Sequence, residues 1–341
     1  MAKAITTNND VYVNFFTEVA PYIFPYIKTR RYYLEIPNFT MGLPTGGDPF
    51  ASQTVTFPEV DVLGNPLEDT LYNYGTNTTS QMTPDFKLSS IPIATRAVSL
   101  VFNPQNLAQL RLAYDRVNGN SSLAIELIQQ SSNPQVSNAD PYGVAVFANN
   151  MADIMTLAVN NVERSINRDL FLGNTQIDGF TGLFNNPNIT NTIAGGAISN
   201  PQELYALLAE AYVYGKNQSN GAYETDTFII PNNLYPIAIQ PYSLSSGTGP
   251  TGLTVLDWAE RQGIKLFFIP PGILGLPLSG AMSGNILAMN QQTARFSFVL
   301  PPTVQGVQER DLNYIIPIQI RYSAVYFQAP VVNTYISFNI T

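Results

Sequence analysis

Between Asp140 and Gly173 the chain carries one uninterrupted helical repeat, and this run constrains the fold more than any other feature. Asp140 and Pro141 supply a capping residue and a proline at the first helical position, the pairing that starts helices. Phe147, Met151, Ile154, Ala158, Val162 and Ile166 then recur every three or four residues, which places them on one face. Asn149, Asp153, Asn160, Glu163, Arg164 and Asn167 are expected on the opposite face, and Gly173 ends the run. About 30 residues make a rod of ~45 Å, expected to be the longest element. Periodicity alone does not separate it from an ordinary long core helix.

Other segments are read around that rod. Residues 1–50 combine a polar start with YIFPYIKTRRYYLEIPNF, where Pro21, Pro25 and Pro37 block regular helix. An extended arm that packs on something, or an edge strand over the chain's own core, fits this pattern. TVTFPEVDVL and IPIATRAVSLVF alternate as strands around a polar middle, the pattern of a long hairpin over 51–102. Asn103 and Pro104 start an amphipathic helix through Leu107, Leu110 and Tyr114 to Gly119. Residues 174–200 read as loop. Asn200 and Pro201 start a third helix ending at Gly215; TFIIP and KLFFIP are strands flanking the short helix TVLDWAERQG, which Gly263 stops. The interval 200–290 therefore reads as a compact α/β unit, with 271–284 a turn-rich apolar loop. RFSFVL, NYIIPIQIRYSAVYFQ and TYISFNI follow as strands, expected to form a sheet under the long helix.

Composition narrows function by exclusion. The chain has no His and no Cys, so the usual ligands of zinc, copper and haem are missing, as are His-dependent triads and disulfides. Only carboxylates, Lys, Tyr or an oxygen-ligated metal remain for catalysis. Charged residues are 12% of the chain, roughly half the usual share, so much of the surface is uncharged and suits burial against neighbours. Net charge is −8, from 16 basic and 24 acidic residues, and 51–142 is the most acidic stretch. This argues against a nucleic-acid clamp, which needs clustered Lys and Arg; a container for nucleic acid needs none. The N-terminus has no basic-then-apolar signal pattern and no run of 18 apolar residues occurs. A soluble intracellular protein is the expectation.

No constellation of catalytic type assembles. GTGPTG at 247–252 fits G-x-G-x-x-G, but a loop precedes it where a dinucleotide site needs a strand. Asp226, Asp257 and Glu260, Glu59 with Asp61, and Glu68 with Asp69 read as solvated surface charge. DVLGNPLED lacks the oxygen-ligand spacing of a calcium loop. Arg164 and Arg168 lie one turn apart with Glu163 and Asp169 nearby, as intrahelical partners or as contacts to a neighbouring subunit. Trp258 reads as a core residue of its short helix. No catalytic, cofactor-binding or metal-ligating residue is nominated, and no cofactor is expected.

The stretch NNVERSINRDLFLGNTQIDGFTGLFNNPNI resembles the tailed-bacteriophage major capsid family. There a long spine helix ends in an Asp, a Leu-x-Gly and a Gly-Leu-Leu-Asn-like turn, here Asp169, Leu172, Gly173 and Gly182-Leu183-Phe184-Asn185. The resemblance covers 140–341, and the first 140 residues only by order of elements. It implies an α+β, HK97-like phage capsid fold: an N-terminal arm (1–50), an extended β-loop (51–102), a peripheral domain with spine helix and β-sheet (103–194 and 291–341), and an axial α/β domain (195–290) with 271–284 near the symmetry axis. It also implies a non-enzymatic protein that self-assembles, as hexamers and pentamers, into the icosahedral head shell enclosing double-stranded DNA without specific binding. Scaffolding, portal or decoration proteins are further candidate partners; no membrane is involved. Its place would be the virion capsid, assembled in the host cytoplasm. No long charged helical segment precedes the arm, so a fused scaffolding region is expected to be absent or already removed. Some relatives crosslink a loop Lys to an Asn of a neighbour; Lys87 is the only Lys in 51–102, and that chemistry is not carried over. Two other readings stand beside this one: an encapsulin-like nanocompartment shell enclosing a cargo enzyme, and a soluble enzyme using carboxylates or an oxygen-ligated metal.

Overall fold

The computed structural model describes residues 30–43, 48–59, 87–102, 160–219, 221, 223–242, 252–278, 282–304, 308–310 and 313–340. The helix expected from Asn103, the first part of the long helix, the tip of the hairpin and most of GTGPTG lie outside the described residues. The chain divides into two compact units. One is Met1–Arg30, Thr95–Ser165 and Leu300–Arg321; the other is Arg31–Ala94, Ile166–Val299 and Tyr322–Thr341.

The second unit holds a five-stranded sheet in the order β4-β12-β7-β5-β6. Its strands are β4 (Thr192–Ala197), β5 (Thr227–Pro231), β6 (Lys265–Ile269), β7 (Met282–Met289) and β12 (Thr334–Ile340). β5, TFIIP, is buried at every residue, as expected of an apolar run with both faces covered. One covering layer is helix α2 (Pro201–Gln218), whose Leu204, Leu207, Leu208 and Ala211 pack with Phe228, Ile230, Ile286, Ala288, Ile336 and Phe338. Its start follows the sequence signal. The Asn200 side chain accepts from Glu203 N at 2.9 Å, satisfying one of the helix's orphan donors, and Glu203 in turn accepts from Ser199 N, just before the cap, at 2.7 Å.

The expected stop at Gly215 is corrected: α2 runs on to Gln218. A Cβ at Gly215 would lie 2.6 Å from Thr225 Oγ1 and 3.0 Å from the Val332 carbonyl. The glycine therefore serves close packing, not termination. Helix α3 (Val255–Arg261) begins with a capping box between Thr254 and Asp257 and ends, as expected, before Gly263 at φ +71°. Thr254→Ala should cost about 1 kcal/mol, read as a lower urea midpoint. The hydrogen bonds from Thr254 hold the Asp257 carboxyl below the usual carboxylate range. Its folded pKa being depressed, its contribution is present above the unfolded pKa and is lost as pH falls through the folded one.

Two strands were not legible as such. β4 lies in the Gly- and Asn-rich stretch read as loop, and β7 begins at Met282, inside the expected loop 271–284. The last strand also differs. TYISFNI was expected beside RFSFVL and NYIIPIQI; instead β12 pairs parallel with β4 and antiparallel with β7, Thr334 opposite Ala288 and Ile340 opposite Met282.

A seven-stranded sheet has the order β1-β8-β10-β3-β2, with β11 beside β8 and β9 beside β10. Its strands are β1 (Asn38–Met41), β2 (Thr54–Glu59), β3 (Lys87–Phe102), β8 (Ala294–Val304), β9 (Gln308–Arg310), β10 (Asn313–Ser323) and β11 (Tyr326–Phe327). β2 and β3 form the expected antiparallel hairpin, Thr54 opposite Pro92 and Glu59 opposite Lys87. β1 pairs parallel with β8, Asn38 opposite Arg295. Just before it, Tyr32–Glu35 makes one helical turn where extended chain was expected. Tyr32, Tyr33 and Ile36 are buried in the chain's own core; Tyr33 meets Phe298 at 4.9 Å, and Tyr32 meets Phe171 edge-on at 5.7 Å.

Candidate functional site

Helix α1 spans 160–172 among the described residues. Val162, Ile166, Leu170 and Phe171 are buried, as the repeat requires. Glu163 and Asn167, expected on the polar face, are buried too, at 4% and 0% exposure, so the covered arc is wider than the apolar stripe. Arg164 and Arg168 are exposed. Asp169 is buried, and its Oδ2 accepts from the Tyr322 hydroxyl at 2.5 Å. A carboxylate in the last turn of a helix is disfavoured by the dipole, and a charge-assisted hydrogen bond offsets that cost.

The strongest local architecture lies where this helix ends. Gly173, at φ +69°, turns the chain out of α1, with its N–H donating to the Asp169 carbonyl at 2.8 Å. Asn174 N then donates to the Phe180 carbonyl, Phe180 N to the Ile177 carbonyl, and the returning chain donates from Leu183 N to Leu170 O (2.8 Å) and from Phe184 N to Phe171 O (2.9 Å). Those two carbonyls are in the last turn of α1 and have no helical donor. Asn185 closes the knot: its Oδ1 accepts from Gly182 N and its Nδ2 donates to Leu172 O at 2.6 Å. Tyr335, from β12, donates its hydroxyl to Leu183 O at 2.8 Å and accepts from Asn186 N at 3.2 Å. Burial pushes that phenol up to about 12. Asn186 and Thr181 also bind the Val325 carbonyl. The seven residues of the motif, Asp169, Leu172, Gly173, Gly182, Leu183, Phe184 and Asn185, are thus brought together as a splice between helix, sheet and loop.

Among the described residues no comparable gathering exists for chemistry. Among the described residues, no group of three or more His, Cys, Asp or Glu is placed to hold a metal. Asp226 accepts from Gln291 N at 2.7 Å, Asp257 caps α3, and Glu260 is exposed. Asp61, Glu68 and Asp69 lie outside the described residues. Lys216 and Glu224 form an exposed ion pair beside the Tyr212 hydroxyl, which lowers the Glu224 pKa and raises that of Lys216; exposed pairs of this kind contribute little. Trp258 is half-buried, edge-on to Tyr205 at 5.5 Å. Among the described residues no helix is long and apolar enough to cross a membrane. The loop after β6 is packed: Leu276 N donates to Pro271 O, and Leu276 lies against Gly284, beside Phe338.

No family model matches the sequence, and no curated protein matches it. Solved structures do. The capsid of Myoviridae Phage XM1 is similar over 91% of this chain and 92% of that chain, at 15% identity and a TM-score of 0.56. The capsid of an empty GTA particle is similar over 91% of this chain and 90% of that one, at 10% identity and a TM-score of 0.53. The α+β fold of this chain is the fold of those capsid subunits.

Proposed function

We propose that this chain is a major capsid protein, a structural subunit whose copies assemble as hexamers and pentamers into the icosahedral head shell around double-stranded DNA. The observation that carries the reading is the likeness to two capsid subunits over at least 90% of every chain compared. Composition supports it: a surface with few charges and many uncharged polar and aromatic residues enters subunit contacts without the desolvation cost of buried ions. With a net charge of −8, such a wall does not trap packaged nucleic acid by counterion release. In this reading 1–50 is the arm and 51–102 the extended loop. The spine helix with strands β8 to β11 forms the peripheral domain, to whose sheet the arm adds β1 and the loop adds β2 and β3; 195–290, with β12 added, forms the axial domain. Scaffolding, portal and decoration proteins are the further partners, and the virion capsid is the location.

The test is negative-stain electron microscopy with size-exclusion chromatography, on the protein expressed alone and with its neighbouring genes. Closed shells, or rings of pentamer and hexamer size, are the expected result. A stable monomer in both preparations would overturn the proposal. Shells that enclose a protein cargo and no DNA would move it to a nanocompartment.

A further inference from the structure

Two crossings between the sheets run side by side. One leads from β7 to β8 through 290–293, and the other returns from β11 to β12 through 328–333. β7 and β12 are antiparallel, with Ala288 opposite Thr334, and so are β8 and β11, with Ala294 opposite Phe327. The two crossings are therefore one antiparallel ribbon that turns a corner. Between those pairs the ladder is interrupted, and three buried polar side chains tie the ribbon together. Asn333, 0% exposed, accepts at Oδ1 from Asn290 N at 3.1 Å and donates from Nδ2 to Ala329 O at 3.0 Å. The Thr293 hydroxyl donates to Asn290 O at 2.9 Å and accepts from Asn333 Nδ2 at 3.4 Å, while Gln328 N donates to Thr293 O at 2.7 Å. Asn290 in turn donates from Nδ2 to Glu224 O at 2.7 Å, which fixes the corner to the chain entering β5.

We infer that this polar corner, with Asn333 at its centre, sets the angle between the β7–β12 and β8–β11 ribbons and thereby the size of the shell. The inference rests on the shell reading above. Apolar packing would stabilise a corner of this kind without fixing its direction, because burial is non-directional. A buried amide is stricter: a donor or acceptor left unpaired there costs its full desolvation, so the cluster holds one arrangement or breaks. In a closed assembly of identical subunits, an angle inside the subunit is repeated in every copy. A small change of angle at Asn333 is therefore summed around the shell, and it is read as a change of diameter.

The test measures shell diameters by negative-stain electron microscopy, for the full chain produced with its neighbouring genes. Asn333→Ala removes the amide. Thr293→Val keeps the side chain's shape, removes only the hydroxyl between Asn333 and Asn290, and decides the matter where Asn333→Ala does not fold. Tyr335→Phe is the control, because it loses the bonds of the phenol to Leu183 O and Asn186 N in the splice and leaves the corner intact. Both corner variants should give a wider spread of diameters than the wild type, Asn333→Ala the wider. Tyr335→Phe should lower the urea midpoint of the subunit and keep the wild-type diameter. Wild-type diameters from a folded corner variant overturn the inference. So does a control whose spread matches that of the variants, since general loss of stability would then be the cause. Failure of both corner variants to fold overturns it as well, because the cluster would then hold the fold and not an angle. A wild-type chain that forms no shell would instead overturn the shell reading, so the two failures are distinguishable.

Discussion

Gly182→Ala is expected to lower the stability of the unassembled subunit by about 3 kcal/mol or more, at or above the top of the usual cost of overpacking, because the backbone cannot relieve the contact. A Cβ at Gly182 would stand 2.4 Å from Gly173 N and 2.7 Å from the carbonyl carbon and oxygen of Phe171. All three are main-chain atoms at the end of α1, held by the hydrogen bonds of Leu183 and Phe184 to the last turn. Relief would require the returning chain to lift away, which breaks both bonds and leaves two helix carbonyls without donors. Gly173 is constrained twice over: its φ is +69°, and its Cβ would lie 2.5 Å from Phe180 O. The comparison that isolates packing is Gly196→Ala, where φ is +65° but nothing lies within 4 Å; there only left-handed strain of about 1–2 kcal/mol is expected. Urea denaturation of both variants decides it. Equal losses would mean that the contact between the two glycines is not what holds the splice.

That splice shows where local reading ends. The residues of the motif stand in the sequence as a string, but nothing in the string says that Gly173 and Gly182 touch. Caps are different, because their chemistry lies within a few residues. Asn200 with Glu203 and Thr254 with Asp257 announce α2 and α3, and the buried run of β5 announces itself by composition. Glycine misleads where it is used for proximity. At Gly195 a Cβ would meet Ser337 O at 2.5 Å, so β4 is a strand with a glycine under its neighbour, and its composition reads as loop. Gly215 misleads in the same way inside α2. The sheet to which the last strand belongs is not legible at all, since alternation along TYISFNI is the same whichever sheet receives it. Asp169 accepts from Tyr322, 153 residues away; helical spacing offered only the arginines beside it.

Tyr33→Ala should destabilise the unassembled subunit by about 3–5 kcal/mol, the usual cost of removing a buried aromatic ring. Tyr33 is 3% exposed, and its ring meets Phe298 at 4.9 Å, Phe39 at 6.0 Å and Phe296 at 6.2 Å. The position separates two roles for the segment around it. A residue that serves only to lie on a neighbouring copy would leave the melting of the isolated subunit unchanged and affect assembly alone. A core residue lowers the subunit's own melting temperature, and does so before any shell exists. Leu34, the next residue, is 45% exposed, and Leu34→Ala should stay within about 0.5 kcal/mol of wild type in the same melt. If Tyr33→Ala melts like Leu34→Ala, the aromatic cluster is not holding β1 to β8. If it melts well below, the root of the proposed arm is part of the subunit's fold. A fixed root is also what the arm proposal needs, because a segment can transmit load between subunits only from a point that does not yield.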